Sequence, residues 1–216
     1  MVLIAVVTCE SRKAQAEAQR KTWVPLVQNA VVKFFLAKQN RDPLPDEVFL
    51  DVPDDYKSLP LKVQAMIQWA VAHGFQSVFK CDDDCFVFPN RLLDLKPKAE
   101  YGGNVMEPGA WCSGFGYWLG RDALEYLAAA PRPFLALRED RWVGGVLASK
   151  GIRPVQVLGI EPSNKPNPCE MLNGQSVCVA EFTPEQMWRA HRGRQGWKSR
   201  LVGSGLTSQR VAQVLD

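Results

Sequence analysis

The sequence lacks any apolar run approaching the roughly 18–20 residues that a membrane-crossing helix needs. It also lacks a Cys-x-x-Cys pair, the commonest spacing of a structural zinc site. No internal repeat and no low-complexity segment occur, which leaves out solenoids and compositionally biased linkers. No basic leader precedes the first apolar residues: Met-Val-Leu-Ile-Ala-Val-Val-Thr is hydrophobic at once and reads as a buried strand, not a signal peptide. Nor is there a strong excess of one charge; 26 basic against 23 acidic residues give +3, too little to name a partner. The six cysteines (9, 81, 85, 112, 169 and 178) are even in number, but 216 residues can bury a core without disulfide staples. Reduced, mostly buried thiols and a cytoplasmic setting are the expectation.

What remains is ordinary globular composition, 46% hydrophobic and 23% charged. Val2 to Thr8 is a continuous apolar run, as in a strand covered on both faces. A polar helix is expected from Ser11 to Trp23, a strand over Val31 to Ala37 and another over Glu47 to Val52, then a turn at Pro53-Asp54-Asp55. Leu61 to His73 is helical, with Met66, Trp69, Ala70 and His73 on one face and Gly74 as its stop. Ser77 to Lys80 is a fourth strand, and Phe86 to Phe88 resumes the apolar pattern. Gly102-Gly103 and Gly114-x-Gly116 mark tight backbone; Arg121 to Ala130 and Glu139 to Ser149 read as helices. Thr183-Pro184-Glu185-Gln186 is a helix start with a capping box. Strands alternating with helices predict an α/β fold with a central, mostly parallel twisted sheet flanked by helices. Residues 1–182 form the main domain and 183–216 a basic helical appendage packed on it.

The fourth strand runs directly into Asp82, Asp83 and Asp84. Three adjacent carboxylates repel one another and raise each other's pKa. A divalent cation removes that penalty; a solvated acidic turn is the competing explanation. In an extended backbone Asp82 and Asp84 point the same way and can hold Mg²⁺ or Mn²⁺ while phosphate oxygens fill other positions. The position, beyond the C-terminal end of a strand, is where α/β sheets hold ligands. Cys81 and Cys85 flank the triplet, but hard cations prefer oxygen, so both are read as packing.

Five ordered segments resemble the beta-1,3-galactosyltransferase family, which includes Fringe-type N-acetylglucosaminyltransferases. Lys80-Cys-Asp-Asp-Asp-Cys-Phe-Val87 is similar to that family's Lys-x-Asp-Asp-Asp-x-Phe-Val, Arg20-Lys-Thr-Trp23 to its Arg-x-Thr-Trp, and Asp55-Tyr56-x-x-Leu59-x-Leu61-Lys62 to its Asp-Tyr-x-Asn-Leu-Thr-Leu-Lys. Ser113-Gly114-Phe115-Gly116-Tyr117 resembles its Ser-Gly-x-Gly-Tyr, and Glu139-Asp140-Arg141-x-Val143-Gly144 its Glu-Asp-Val-x-x-Gly. The resemblance implies a GT-A fold, a UDP-sugar donor, Mn²⁺ and inversion at the anomeric carbon. The family's metal-binding His before a Ser/Thr-Pro-Glu segment has no counterpart in Val179 to Glu185. Glu181 is the expected substitute, because a carboxylate suits Mn²⁺; His191 is the other candidate.

The resemblance thus implies an inverting hexosyl transfer to an acceptor hydroxyl; Asp140 is the expected general base, with Glu139 as second choice. The same pair also suits a helix N-terminus. Thr8 and Arg12 follow the first strand, where the family binds uridine and diphosphate; Arg12 and Arg20 either pair with phosphate or are solvated. Tyr56 either stacks on a base or packs, Lys62 either reaches phosphate or is solvated, and Gly114 and Gly116 allow close approach to a ligand. Trp111 and Trp142 offer flat faces to an acceptor, although core packing is the commoner fate of Trp. The acceptor expected from the family is a glycan or glycolipid. A modified base of phage-type DNA is the alternative, on the basic tail of Arg189, Arg192, Arg194, Lys198 and Arg200 with Trp188 and Trp197. A non-catalytic nucleotide-sugar-binding module is the alternative of another class. A nuclease or phosphatase would need His and Lys partners that the sequence does not supply at set spacings.

Overall fold

The structure is a computed structural model that describes residues 1–203 apart from 96–97, 107–108 and 135–136, with side chains as far as residue 193. Its main sheet grows from apolar runs that alternate between two covered faces. In β1 (Val2–Val7), Ile4 and Val6 face one core, and Leu3, Ala5 and Val7 face the other. β1 pairs in parallel with β2 (Val31–Ala37) and with β4 (Ser77–Asp82), and β3 (Glu47–Leu50) adds in parallel to β2. β7 (Trp111–Leu119) pairs antiparallel with β4, β6 (Tyr101–Met106) antiparallel with β7, and β8 (Val155–Gln156) parallel with β6. The order is β3-β2-β1-β4-β7-β6-β8. β5 (Phe86–Val87), β9 (Ile160–Glu161) and β10 (Cys178–Val179) form a second, three-stranded sheet, ordered β5-β10-β9.

Helices close both faces, as the strand-helix alternation predicts. α2 (Leu59–Ala72), α4 (Arg121–Ala128) and α5 (Glu139–Ser149) cover the Leu3 face through Val63, Ile67, Leu124, Leu127, Val143 and Leu147. α1 (Lys13–Lys21), α3 (Pro89–Asp94) and α6 (Pro184–Gly203) cover the Ile4 face through Ala16, Ala18, Leu92, Met187 and Ala190. α6 therefore contributes to the core as far as residue 190. The Thr183 capping box forms as expected: Thr183 N donates to Gln186 Oε1 at 2.8 Å and Gln186 N to Thr183 Oγ1 at 3.3 Å. All six cysteines are free, and Cys81, Cys85, Cys112 and Cys178 are buried. Among the described residues no helix is long and apolar enough to cross a membrane.

Several element bounds differ from those expected by one or two residues, as where α4 ends at Ala128 and β4 runs on to Asp82; three differences have a clear local reason. The helix expected over Ser11 to Trp23 begins as a 3-10 turn at Glu10–Arg12 and ends at Lys21, where Thr22 Oγ1 bonds the Ala18 carbonyl at 2.7 Å and Trp23 turns fully into the core. The third strand stops at Leu50, the last residue registered against β2, before the Pro53 turn. The helix expected from Leu61 starts at Leu59, since Pro60 is tolerated in a first turn. The glycines at 102–103 and at 114 and 116 lie inside β6 and β7. There they allow close approach: a Cβ at Gly103 would sit 2.9 Å from the Gly116 carbonyl oxygen.

The glycine pair of α5 yields a matched test. A Cβ at Gly144 would lie 2.5 Å from Trp111 Cβ and 2.7 Å from the Ala110 oxygen, whereas one at Gly145 meets nothing within 4 Å. Gly144→Ala is expected to destabilise the fold by about 1–3 kcal/mol through overpacking. Gly145→Ala is expected to stabilise it by about 0.5–1 kcal/mol through helix propensity. Urea unfolding of both variants measures the two signs.

Candidate active site

The parallel strands deliver two things to one end of the sheet: the loop after β1 and the aspartates after β4. β4 ends at Asp82 and the chain turns, with Cys85 N bonding the Asp82 carbonyl at 3.3 Å. The turn is held from below by α1. Gln19 Nε2 donates to the Asp82 oxygen at 3.1 Å and to the Cys85 oxygen at 2.9 Å, and Trp23 Nε1 donates to the Cys85 oxygen at 3.1 Å. Trp23 is core and also fixes this turn.

The three carboxylates are not equivalent. Asp82 and Asp84 face one cavity, as expected, although a turn rather than an extended strand brings this about. Asp83 points away from that cavity and is 2% exposed; it accepts from Thr8 Oγ1 at 2.6 Å and Arg12 Nε at 2.6 Å. Arg12 also reaches Asp84 Oδ2 at 2.9 Å. Burial raises the Asp83 carboxyl above its usual range, and Asp84 is pushed up to about 6 by burial and then by repulsion from Asp82.

Lys80 lies beneath the turn with no exposed surface. Its ammonium donates to Asp82 Oδ1 at 2.6 Å and to the Gly114 carbonyl of β7, and stands 3.9 Å from Glu139 Oε2. Burial alone would depress this ammonium; Asp82 and Glu139 outweigh it and hold the lysine protonated. Glu139 and Asp140 open α5 and are both 4% exposed, yet both line the cavity. Tyr117 Oη donates to Glu139 Oε1. Asp140 accepts from Arg141 N at 2.8 Å and Arg138 Nη2 at 3.3 Å. A Cβ at Gly114 would lie 3.0 Å from Glu139 Oε2, so glycine there lets the two walls approach.

The resulting cavity is about 670 Å³ and joins Asp82 and Asp84 with Glu139, Asp140, Gly114 and Glu181. A second cavity of about 420 Å³ shares Tyr56, Leu59, Asp82 and Asp84 with the first and is lined by Thr8, Arg12, Asp54 and Lys62. Tyr56 is 78% exposed at the junction of the two. Lys62 is buried and donates to the Thr8 oxygen at 2.9 Å and Asp54 Oδ1 at 2.6 Å. Of the expected site residues, Asp82, Asp83, Asp84, Glu139, Asp140, Thr8, Arg12, Tyr56, Lys62, Gly114 and Glu181 thus converge on one region.

Others do not. Arg20 pairs with Asp46 at 2.8 Å and Glu47 at 3.0 Å and lies 4.2 Å over Phe34, so its charge serves the β2–β3 edge. Gly116 faces Phe79 and Cys178, its would-be Cβ 3.3 Å from the Phe79 ring, so it is a packing glycine. Trp142 is buried in the core beside Val143 and Leu147, the commoner fate of Trp. Trp111 is half-buried beneath Arg141, 5.1 Å from the ring, and is not in the cavity wall. His191 sits on α6, outside both cavities. On the same helix Arg189 and Arg192 are exposed and Trp188 is half-buried, while the side chains of Arg194, Trp197, Lys198 and Arg200 lie outside the described residues. Among the described residues, no three His, Cys, Asp or Glu side chains form a group able to hold an ion alone.

The sequence reading gave no role to Gln19, Lys80 or Tyr117. Lys80 was legible, because period-two alternation puts it on the Asp82 face. Gln19 and Tyr117 act across distances of more than 20 residues in sequence and leave no local signal.

The α/β fold, with its large, mostly parallel central sheet, is of the GT-A type. A solved glycosyltransferase involved in glycosylation of the major capsid of PBCV-1 is similar at TM-score 0.50 and 12% identity, over 88% of this chain and 98% of that one. A nucleotide-diphospho-sugar transferase from Desulfovibrio desulfuricans G20 gives TM-score 0.44 and 11% identity, over 72% and 79%. In sequence, the family model described as Galactosyltransferase matches residues 14–101. UDP-GalNAc:beta-1,3-N-acetylgalactosaminyltransferase 2 of Danio rerio is 28% identical over 141 residues, 53% of this chain; the match spans 29% of that protein's length. Over these stretches the chain is similar to galactosyltransferases.

Burial of Glu139 has a measurable consequence. Its pKa is raised from 4.5 to about 7, chiefly by burial and against the pull of Lys80 and Tyr117. An acid raised in the fold binds more protons in the native state between the two values. Its contribution to stability is therefore full below about 4.5 and is lost as pH rises toward about 7. Relative to Glu139→Gln, the wild type should lose stability over that interval, by on the order of 3 kcal/mol at most. Urea unfolding of the two proteins from pH 4.5 to 7.5 tests the sign.

Proposed function

We propose that the chain transfers a hexose (galactose, glucose or N-acetylhexosamine) from a UDP-sugar to an acceptor hydroxyl of a glycan, with inversion at the anomeric carbon. The supporting observation is the single cavity that sets Asp82 and Asp84 on one wall and Glu139 and Asp140 on the other. The name of the Danio rerio relative, with its UDP-GalNAc donor, supports a UDP-sugar here.

The residues present fit a divalent cation. Asp82 and Asp84 offer hard carboxylate oxygens on one cavity wall, and one or two carboxylates are the usual protein share of a Mg²⁺ or Mn²⁺ site completed by phosphates and water. Burial and then repulsion from Asp82 push Asp84 up to about 6, against the pull of Arg12, and a bound cation would offset both. Asp82 and Asp84 would hold the ion, with Asp83 orienting Arg12 beneath them. When bound, the ion neutralises the diphosphate leaving group. Without the ion, a diphosphate would meet five carboxylates in the cavity wall, of which Asp82 and Asp84 are each paired with a single cation, Lys80 and Arg12.

The chain's own residues carry the rest. Tyr56, exposed between the two cavities, stacks on the uracil, and Thr8 and Arg12 line the nucleotide end. Asp140 takes the proton as the acceptor oxygen attacks C1, while the C1–O bond to the diphosphate breaks and UDP leaves with its electron pair. Glu139, bonded to Tyr117 and close to Lys80, positions the start of α5 so that Asp140 faces the cavity. The acidic lining disfavours a polyanionic acceptor, which supports a glycan over a modified base in DNA.

Three outcomes are expected. Among a panel of nucleotide sugars, UDP-sugars are hydrolysed or transferred with Mn²⁺ and not with a chelator. Asp140→Asn lowers turnover by about 10²–10⁴-fold while donor binding stays near normal; near-normal turnover would rule out Asp140 as the base. Duplex DNA shows no salt-sensitive binding at low ionic strength.

A further inference from the structure

We infer that Glu181 binds the hydroxyls of the transferred sugar and thereby sets which sugars the cavity accepts; this rests on the transferase reading above. Two independent observations single it out. First, its backbone is in the left-handed region, φ 70°, where among the described residues only Asn29 and glycines otherwise lie. Asparagine tolerates that region and glutamate does not gain from it, so the conformation is imposed by the neighbours. Ala180 N bonds the Glu161 oxygen at 3.3 Å and Phe182 N bonds the Asp84 oxygen at 2.9 Å, while both flanking side chains are buried. Strain held by such over-determination recurs at ligand sites.

Second, the side chain so presented is an exposed carboxylate in the cavity wall, and it has no hydrogen bond or ion pair among the described residues. The other four carboxylates of that cavity do: Asp82 has Lys80, Asp84 has Arg12, Glu139 has Tyr117, and Asp140 has Arg138 with Arg141 N. A carboxylate accepts two or more hydrogen bonds, and sugar hydroxyls are donors suited to it. The Phe182–Asp84 bond ties Glu181 to the aspartate turn. The sugar of a nucleotide sugar is joined directly to the diphosphate, so a group beside that turn meets the donor's sugar before it meets the acceptor. Among the described residues Glu181, Asp82 and Asp84 are not close enough to form a three-carboxylate group, and the ion-ligand role expected from sequence is an outcome of the test below.

The test uses the full chain and its Glu181→Ala, Glu181→Gly and Glu181→Gln variants. For Ala and Gly, kcat/KM for the best UDP-sugar should fall at least tenfold, and discrimination between epimeric donors such as UDP-galactose and UDP-glucose should collapse. Affinity for UDP alone and the half-saturating Mn²⁺ concentration should stay within twofold. Gln, which keeps one acceptor oxygen, should fall in between. Independently of activity, Glu181→Gly should melt about 2–4 °C above Glu181→Ala, because glycine relieves the left-handed backbone. Unchanged donor discrimination overturns the inference. So does a tenfold shift in the Mn²⁺ requirement, which would make Glu181 an ion ligand. Equal melting of the Gly and Ala variants would remove the strain argument, and with it the inference. A wild type that turns over no UDP-sugar would instead defeat the transferase reading itself, and this inference with it.

Discussion

The site depends on one buried ammonium. Lys80 reaches Asp82 on its own strand, the Gly114 carbonyl on the neighbouring antiparallel strand and the vicinity of Glu139 on α5. An ammonium without exposed surface persists only if it is paired and hydrogen-bonded, and these three groups satisfy it. In return, it fixes the separation between the wall that carries the aspartates and the wall that carries Asp140. Removing the ammonium would leave two acidic groups facing each other in a poorly solvated space, which is why the lysine two residues before Asp82 belongs to the chemistry of the site as much as the aspartates do.

Around that contact the protein divides its acidic groups by use. Asp83 is turned inward and anchors Arg12 and Thr8. Glu139 borders the cavity but is almost fully buried, and accepts from Tyr117. Asp82, Asp84, Asp140 and Glu181 keep access to the cavity. Asp83 and Glu139 each adjoin one of these in sequence, so anchoring one fixes the direction of the next. The α1 helix completes the frame, because Gln19 and Trp23 bind the backbone of the aspartate turn and leave its side chains free for the cavity.

Much of this was legible in the sequence. The apolar runs at Val2 and Val31 identify strands covered on two faces, and the Thr183 capping box marks its helix start correctly, because both signals are local. Asp82 and Asp140 were legible as ordered motifs. The misplaced residues share a cause. Arg20, Gly116 and Trp142 sit in segments that resemble motifs, but whether a motif residue faces ligand or core is decided by partners distant in sequence: Asp46 for Arg20, Cys178 for Gly116, and for Trp142 the buried cluster that it shares with Val63 and Leu124. The strained backbone of Glu181 was beyond sequence reasoning for the same reason: it is imposed by bonds to Glu161 and Asp84, not by its own residue type.

The central claim is that the acidic cavity accommodates a nucleotide diphosphate only together with a divalent cation. The most direct measurement is calorimetric titration of UDP into the protein in Mn²⁺ and in chelator. The account predicts binding at least tenfold tighter with the ion present. Equal affinity in the two conditions, or no UDP binding in either, would contradict it.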